Sequence, residues 1–476
     1  MSEALRQATN PGEEAQISRD MLREMDEAAT SREHWKILIT SGMGFFTDAY
    51  DLFVIGVVVS ILVTEWGIAS WQKSLVSSLA LLTSAIGAVV FGRVADKFGR
   101  KKIYGYEVLV LAVGAILSAL SPNIWWLLIF RAILGFGIGG DYPVSATIMS
   151  EYASKKNRGR MVSLVFSMQG AGLIVGPLLA IALLSTGMNE DYVWRILLAF
   201  GAIPALAVFW LRRQIKETPR FVLAQMEARE TEEKAKREGK PTGLRGALAD
   251  RTMLKWLIGC SLAWMLFDFV YYGNTIASQS ILSLVAPNAS LQGQTAYILA
   301  VFAIAALPGY FLAAFTIDKI GRRTVQAFGF AMMTLVFVVM WLVPKATTEV
   351  APFLVLFGAT YFFAEFGPNT TTFVYPAEIF PVRVRTTCHG IAAAAGKIGA
   401  FIGTYALTSM LNDSGVPRVA MLVAIVSLGG LLATVTLLPE PRGKSLEDMS
   451  ERGAGAEYPP SAVALGVSES RGTRIS

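Results

Sequence analysis

Between Trp35 and Leu438 the chain repeats one pattern about twelve times: a run of roughly 20 apolar residues, then a short polar break. Each run is long enough to cross a hydrocarbon core about 30 Å thick. In lipid every backbone N–H and C=O must be satisfied inside the segment or in a closed barrel, and runs of this length leave only helices. Composition agrees, with 53% hydrophobic and 16% charged residues against about 25% charged in a soluble domain. The expected fold class is therefore an all-α membrane protein with twelve transmembrane helices, at 37–63, 72–95, 101–121, 124–150, 160–187, 191–212, 254–282, 293–317, 324–344, 351–375, 385–411 and 417–438.

The charges predict orientation. Arg93, Lys97, Arg100, Lys101 and Lys102 crowd one loop, and Lys155, Lys156, Arg158 and Arg160 another. The intervening loops near Ser121, at 185–191 and at 286–294 carry neither Lys nor Arg. The positive-inside rule then puts the basic loops and both termini in the cytoplasm of a cell-membrane protein. This alternation, with a net charge of +6, argues against nucleic acid as a partner. No signal peptide is expected in the polar first residues. Cys260 and Cys388 fall inside apolar runs, and His34 and His389 are too far apart for a usual metal site. No cofactor or metal is expected.

The spans divide six and six. ADKFGRKK at 95–102 returns as IDKIGRRT at 317–324, an offset of 222, and Glu151 with Arg158 returns as Glu378 with Arg385, an offset of 227. Two landmarks at nearly one offset indicate an internal duplication, the build of secondary transporters. The expected parts are a tail at 1–36, one six-helix half at 37–212, a charged middle loop at 213–253, a second half at 254–438, and a disordered tail at 439–476. EARETEEKAKREGK in the middle loop reads as a solvated helix or loop.

Each D-K-x-G-R loop offers an acid able to cap a helix and a basic pair able to lock two helix ends. Asp96, Arg100, Asp318 and Arg322 are accordingly expected in a cytoplasmic gate. Glu151 with Arg158 and Arg160, and Glu378 with Arg383 and Arg385, are expected to form its latches. Within the spans, Trp264, Asp268 and Tyr272 recur every fourth residue and so share a helical face. Tyr142 and Asn369 both stand nine residues before the repeated glutamates. Gln169 and Lys397 stand eighteen and nineteen after them. Lys397, with no acid nearby in its own helix, either meets Asp268 across the bundle or meets an anion. The acids Asp48, Asp51, Glu107 and Asp141 sit in apolar runs where a charge is costly. Burial disfavours the ionised carboxylate, so these four are expected to carry protons, with Arg131 a candidate partner for one of them. Pro143, Pro177, Pro308 and Pro368 are expected bending points. GFGIGG at 135–140 mimics a dinucleotide fingerprint but follows no strand, and is read as close helix packing. GIAAAAGKI at 390–398 mimics a phosphate loop but has one residue too many and lacks Ser or Thr after Lys397.

The duplicated spans with their DKFGRKK and DKIGRR loops resemble the major facilitator superfamily. KETPR at 216–220 and PEPRG at 439–443 resemble landmarks of its sugar-porter-like branch. Within that branch, GGDYPVSATIMSE at 139–151 and FFTDAYDLFVIG at 45–56 are similar to the phosphate:proton symporter family. The resemblance implies alternating-access import of inorganic phosphate with protons, by a chain functional as a monomer. It implies substrate-binding roles for Tyr142, Gln169, Trp264, Asp268, Tyr272, Asn369 and Lys397. A carrier of another organic anion or a sugar is the alternative, although a sugar would not need the buried cation. A nutrient receptor without transport would need a signalling domain, of which the sequence gives no sign. Nor does it offer an enzyme's nucleophile–base pair.

Overall fold

The structure, a computed structural model, describes residues 11–225, 243–343 and 345–453. Twelve helices are long and apolar enough to span a bilayer: α1 Arg32–Trp66, α2 Ser70–Phe98, α3 Arg100–Ala119, α4 Ile124–Tyr152, α5 Arg158–Ser185, α6 Glu190–Arg213, α7 Arg251–Val285, α8 Leu291–Ile320, α9 Arg322–Leu342, α10 Val350–Ile379, α11 Arg385–Leu411 and α12 Gly415–Leu437. Their ends lie within a few residues of those expected. Polar residues before the apolar runs start several helices: Asn123, Asn189, Asp250 and Ser290 accept backbone N–H bonds of the first turns of α4, α6, α7 and α8. EARETEEKAKREGK and the tail beyond 453 lie outside the described residues.

Glycine sets how closely the helices approach. A Cβ on Gly135 or Gly139 of α4 would strike the Ala80 or Ser84 carbonyl of α2, and one on Gly399 or Gly403 of α11 would strike Met265 or Phe269 of α7. Glycines of the GFGIGG run thus serve helix packing, as in other small-residue membrane interfaces. Prolines divide into two kinds. Pro143 and Pro177 sit in continuous α-helix. Pro308 follows a π-turn at Phe302–Ala306, and Pro368 lies in another at Glu365–Asn369, where Gly367 leaves helical geometry (φ −105°, ψ −109°). A widened turn accommodates the missing N–H and the ring that would clash in an α-turn.

The repeated loops are built alike. Gly99 (φ 103°) and Gly321 (φ 106°) turn the chain into α3 and α9 with a backbone that favours glycine. Glu217 of KETPR accepts the backbone N–H groups of Arg100 (3.1 Å) and Lys101 (3.2 Å). Glu440 of PEPRG accepts those of Arg322 (3.1 Å) and Arg323 (3.0 Å). Each carboxylate therefore satisfies unpaired amides at a helix start, where negative charge is favoured.

The C-terminal tail departs from expectation; the N-terminal one, for which no conformation was expected, has a helix at Pro11–Glu27 whose Asp26 pairs with Arg158 (3.0 Å) and Arg220 (2.6 Å). Leu446–Gly453, expected to be disordered, is a helix that buries Leu446 and Met449 and sets Glu447 2.5 Å from Arg220. Burial alone would push the Glu447 carboxyl up, but Arg220, Arg385 and Arg158 hold it below its ordinary range. A polar, Gly/Ser-rich composition hid this helix because its stability comes from docking, not from its own propensity.

Candidate functional site

Lys397, on α11 in the middle of the bundle, is only 1% exposed. Its Nζ donates to the hydroxyls of Tyr142 on α4 (2.9 Å) and Tyr272 on α7 (2.8 Å), and lies over both rings. Asp268 is 3.8 Å away, beyond hydrogen-bond reach, and its Oδ2 has no hydrogen-bond partner. Trp264, one turn before Asp268, lies against Gly396, where any Cβ would meet the indole, with its ring 6.1 Å from that of Tyr142. Tyr142 donates to Asp48 of α1 at 2.6 Å and lies 3.0 Å from the Tyr272 hydroxyl. Five of the seven expected substrate residues thus form one cluster around a cation, with Asp48 attached.

Gln169 and Asn369 form a second group beside it, with Gln169 close to the Tyr272 hydroxyl. Gln169 Oε1 accepts from Tyr310 (2.6 Å) and from Asn369 Nδ2 (3.3 Å), and Asn369 Nδ2 also donates to the Tyr310 hydroxyl (2.8 Å) and to Glu365. Neither Tyr310 nor Glu365 was anticipated. Glu365 had a plain signal, an acid in the apolar run TYFFAEFGPN, but neither the duplication nor the motifs pointed to it.

The other acids are ion-paired. Asp51 lies 2.6 Å from Arg131, the candidate partner named above. Asp141 and Glu107 share Arg212, each at 2.8 Å, and Asp141 also accepts from Ser145 (2.5 Å). Glu107 accepts the N–H of Gly105, where α3 is interrupted by a residue at φ 116°. Arg212 escaped notice because it ends an apolar run and so reads as an interfacial charge. It is instead fully buried against the Tyr104 ring.

At the basic end the two halves are locked by exchange. Asp96 accepts the N–H groups of Thr386 (3.3 Å) and Thr387 (2.6 Å) at the start of α11. Asp318 accepts those of Gly159 (3.1 Å) and Arg160 (2.8 Å) at the start of α5. Arg100 pairs with Asp96 and Glu151, both at 3.1 Å, while Arg322 pairs with Asp318 (2.8 Å) and Glu378 (2.6 Å). The expected latches are re-partnered. Glu151 meets Arg385 (3.1 Å) and Thr218, whereas Arg158 turns to Asp26 and Arg385 does not pair with Glu378. Seven residues of separation across a helix break fixes no contact, and the arginines of the D-K-x-G-R loops, Arg100 and Arg322, take the two glutamates. At the opposite end the halves meet through neutral acceptors, as in Lys73 to Ser280 (3.0 Å) and Gln292 to Ser185 (2.7 Å). No ion pair joins the halves there among the described residues.

Residues 36–452 match the family described as "Sugar (and other) transporter". The chain is 35% identical to "Probable inorganic phosphate transporter 1-6" of Arabidopsis thaliana, over 90% of this chain and 96% of that one. It is 36% identical to "Inorganic phosphate transporter 1-6" of Oryza sativa subsp. japonica, over 94% and 98%. Its backbone resembles that of the proton:xylose symporter XylE bound to 6-bromo-6-deoxy-D-glucose, with a TM-score of 0.72, 20% identity, and coverage of 87% of this chain and 98% of that one.

Proposed function

Since this chain belongs to the major facilitator superfamily, in the phosphate:proton symporter family of its sugar (and other) transporters, we propose that it imports inorganic phosphate with protons by alternating access between α1–α6 and α7–α12. It is a multi-pass membrane protein and not an enzyme. We assign it to the cell membrane with its basic loops and termini in the cytoplasm, and to function as a monomer, because one chain supplies both sides of the site.

The observation that carries this reading is the loose Lys397–Asp268 pair. Asp51–Arg131 and Arg212–Asp141 close to 2.6 and 2.8 Å, but Lys397 stands 3.8 Å from its acid. A buried ammonium held mainly by hydroxyls has capacity left for an anion. Around it Tyr142, Tyr272, Trp264 and the Asn369 amide supply donors, and Asp48 and Asp268 supply acceptors for the protonated oxygens of dihydrogen phosphate. Phosphate arriving beside Lys397 competes for both tyrosines. A proton on Asp48 turns that carboxylate from acceptor to donor and releases Tyr142 to the substrate. Asp141, sharing Arg212, is the second carrier in this scheme. Asp51 and Glu107, each bound to a buried arginine, hold the helices that present the carriers. Access to the cytoplasm follows when the exchanged caps and the Glu151–Arg385 pair part.

The test is uptake of radiolabelled phosphate into proteoliposomes under an imposed inward proton gradient. Uptake that depends on the gradient is expected. No phosphate uptake with intact uptake of a dicarboxylate would favour the organic-anion alternative.

A further inference from the structure

The π-turn of α10 places a buried acid beside the site that none of the roles above uses. Glu365 is fully buried, its Oε2 accepts from Asn369 Nδ2, and its Oε1 has no hydrogen-bond partner. Tyr271 of α7 and Tyr310 of α8 face it, and the Tyr271 hydroxyl is also unpartnered. Charges on the surrounding helices are engaged elsewhere, Asp268 with Lys397 and Arg322 with Asp318 and Glu378. Against the turn, α9 presents Gly329, which touches Gly367. Among the described residues no cation compensates a carboxylate here, and an uncompensated charge in a membrane interior is among the costliest arrangements a helix can hold. A neutral carboxylic acid fits better, because it carries no charge that needs a partner.

Asn369 connects this acid to the substrate site. Its amide is surrounded by three acceptors, Glu365, Gln169 and the Tyr310 oxygen. A charged Glu365 holds the amide back and repels an arriving anion, whereas a neutral one relaxes both. We propose that Glu365 is a proton site of this carrier, protonated together with anion binding and deprotonated on its release, with Asn369 as the link. This rests on the phosphate–proton reading above. The step balances: one proton enters the carboxylate from the side of higher proton activity and leaves to the other side with the anion.

The experiment compares wild type and Glu365→Gln in proteoliposomes with the membrane potential clamped to zero. Phosphate exchange at equal pH is measured first, then accumulation under a gradient of one pH unit. Gln keeps the bond to Asn369 and carries no exchangeable charge, so exchange persists and accumulation falls about tenfold, the factor one coupled proton supplies per pH unit. Glu365→Asp, which retains the proton, restores part of it. Equal accumulation in wild type and Glu365→Gln overturns the proposal, and so does loss of exchange in folded protein, which would make Glu365 a scaffold or ligand. Wild type without phosphate exchange refutes the proposed function instead. A further readout needs no variant: infrared difference spectra of wild type with isotope-labelled glutamate must show a carboxyl that loses its proton as phosphate is withdrawn. Its absence also overturns the proposal.

Discussion

Asp96→Asn keeps the side chain's volume and removes its charge. The carboxylate now accepts two amides of the α11 start, at 3.3 and 2.6 Å, and faces Arg100 at 3.1 Å. Asn retains one acceptor oxygen and turns an NH2 toward the other amide, so one charge-assisted bond is lost, worth about 1.5 kcal/mol net. Negative charge at a helix N-terminus contributes about 0.3–1 kcal/mol more. Arg100 keeps Glu151, so its own loss is small. The sum, about 2 kcal/mol, moves the closed-to-open ratio at the basic end about 30-fold. Spin labels on cysteines replacing Lys156 and Lys319, exposed residues on opposite halves, read that ratio as a distance distribution by electron double resonance. The prediction is a larger long-distance population in Asp96→Asn, matched by Asp318→Asn, which removes the reciprocal cap. An unchanged distribution in both variants, with wild-type thermal stability, would refute the reasoning that these caps hold the halves together.

Other perturbations have equally definite outcomes. Lys397→Ala and Asp268→Asn should each abolish phosphate binding in calorimetry while leaving a folded protein, and wild-type affinity in both would remove the central cluster from the binding site. Gly139→Ala drives a methyl into the Ser84 carbonyl of α2 and should lower stability by about 1–3 kcal/mol, read as a drop in thermal unfolding temperature. The C-terminal helix should respond to acid. The depressed Glu447 carboxyl contributes docking stability that is complete above the ordinary carboxylate value of 4.5 and is lost as pH falls through the lower folded value. Hydrogen exchange of Leu446–Gly453 should therefore stay protected from neutral pH down to about 5 and quicken below 4, and Glu447→Gln should remove that transition.

The spans were legible because one quantity decides them: the length of apolar chain needed to replace water around a helix. The repeated D-K-x-G-R pattern likewise announced a capping aspartate, and Asp96 and Asp318 do cap. Which helix they cap was not legible, since the partners lie in the other half. Spacing named Arg158 for Glu151, and the fold chose Arg100 and Arg385. Lys397, Tyr142 and Tyr272 were found because a polar residue in an apolar run is conspicuous when a duplication or motif doubles the signal. Arg212 and Glu365 had no such second signal, one masked by its place at a helix end and the other by the absence of a counterpart in the first half.

The reciprocal caps also have a consequence for how the molecule comes into being. Asp96 waits for amides that lie 290 residues further along the chain, so in a nascent polypeptide only Arg100, four residues on, is there to meet it for most of synthesis. The amides of Gly159 and Arg160 wait in turn for Asp318. The seal at the basic end of this carrier can therefore be completed only after α11 has been made. A product truncated before α11 would leave Asp96 without those amides, its basic end open where the finished protein is closed.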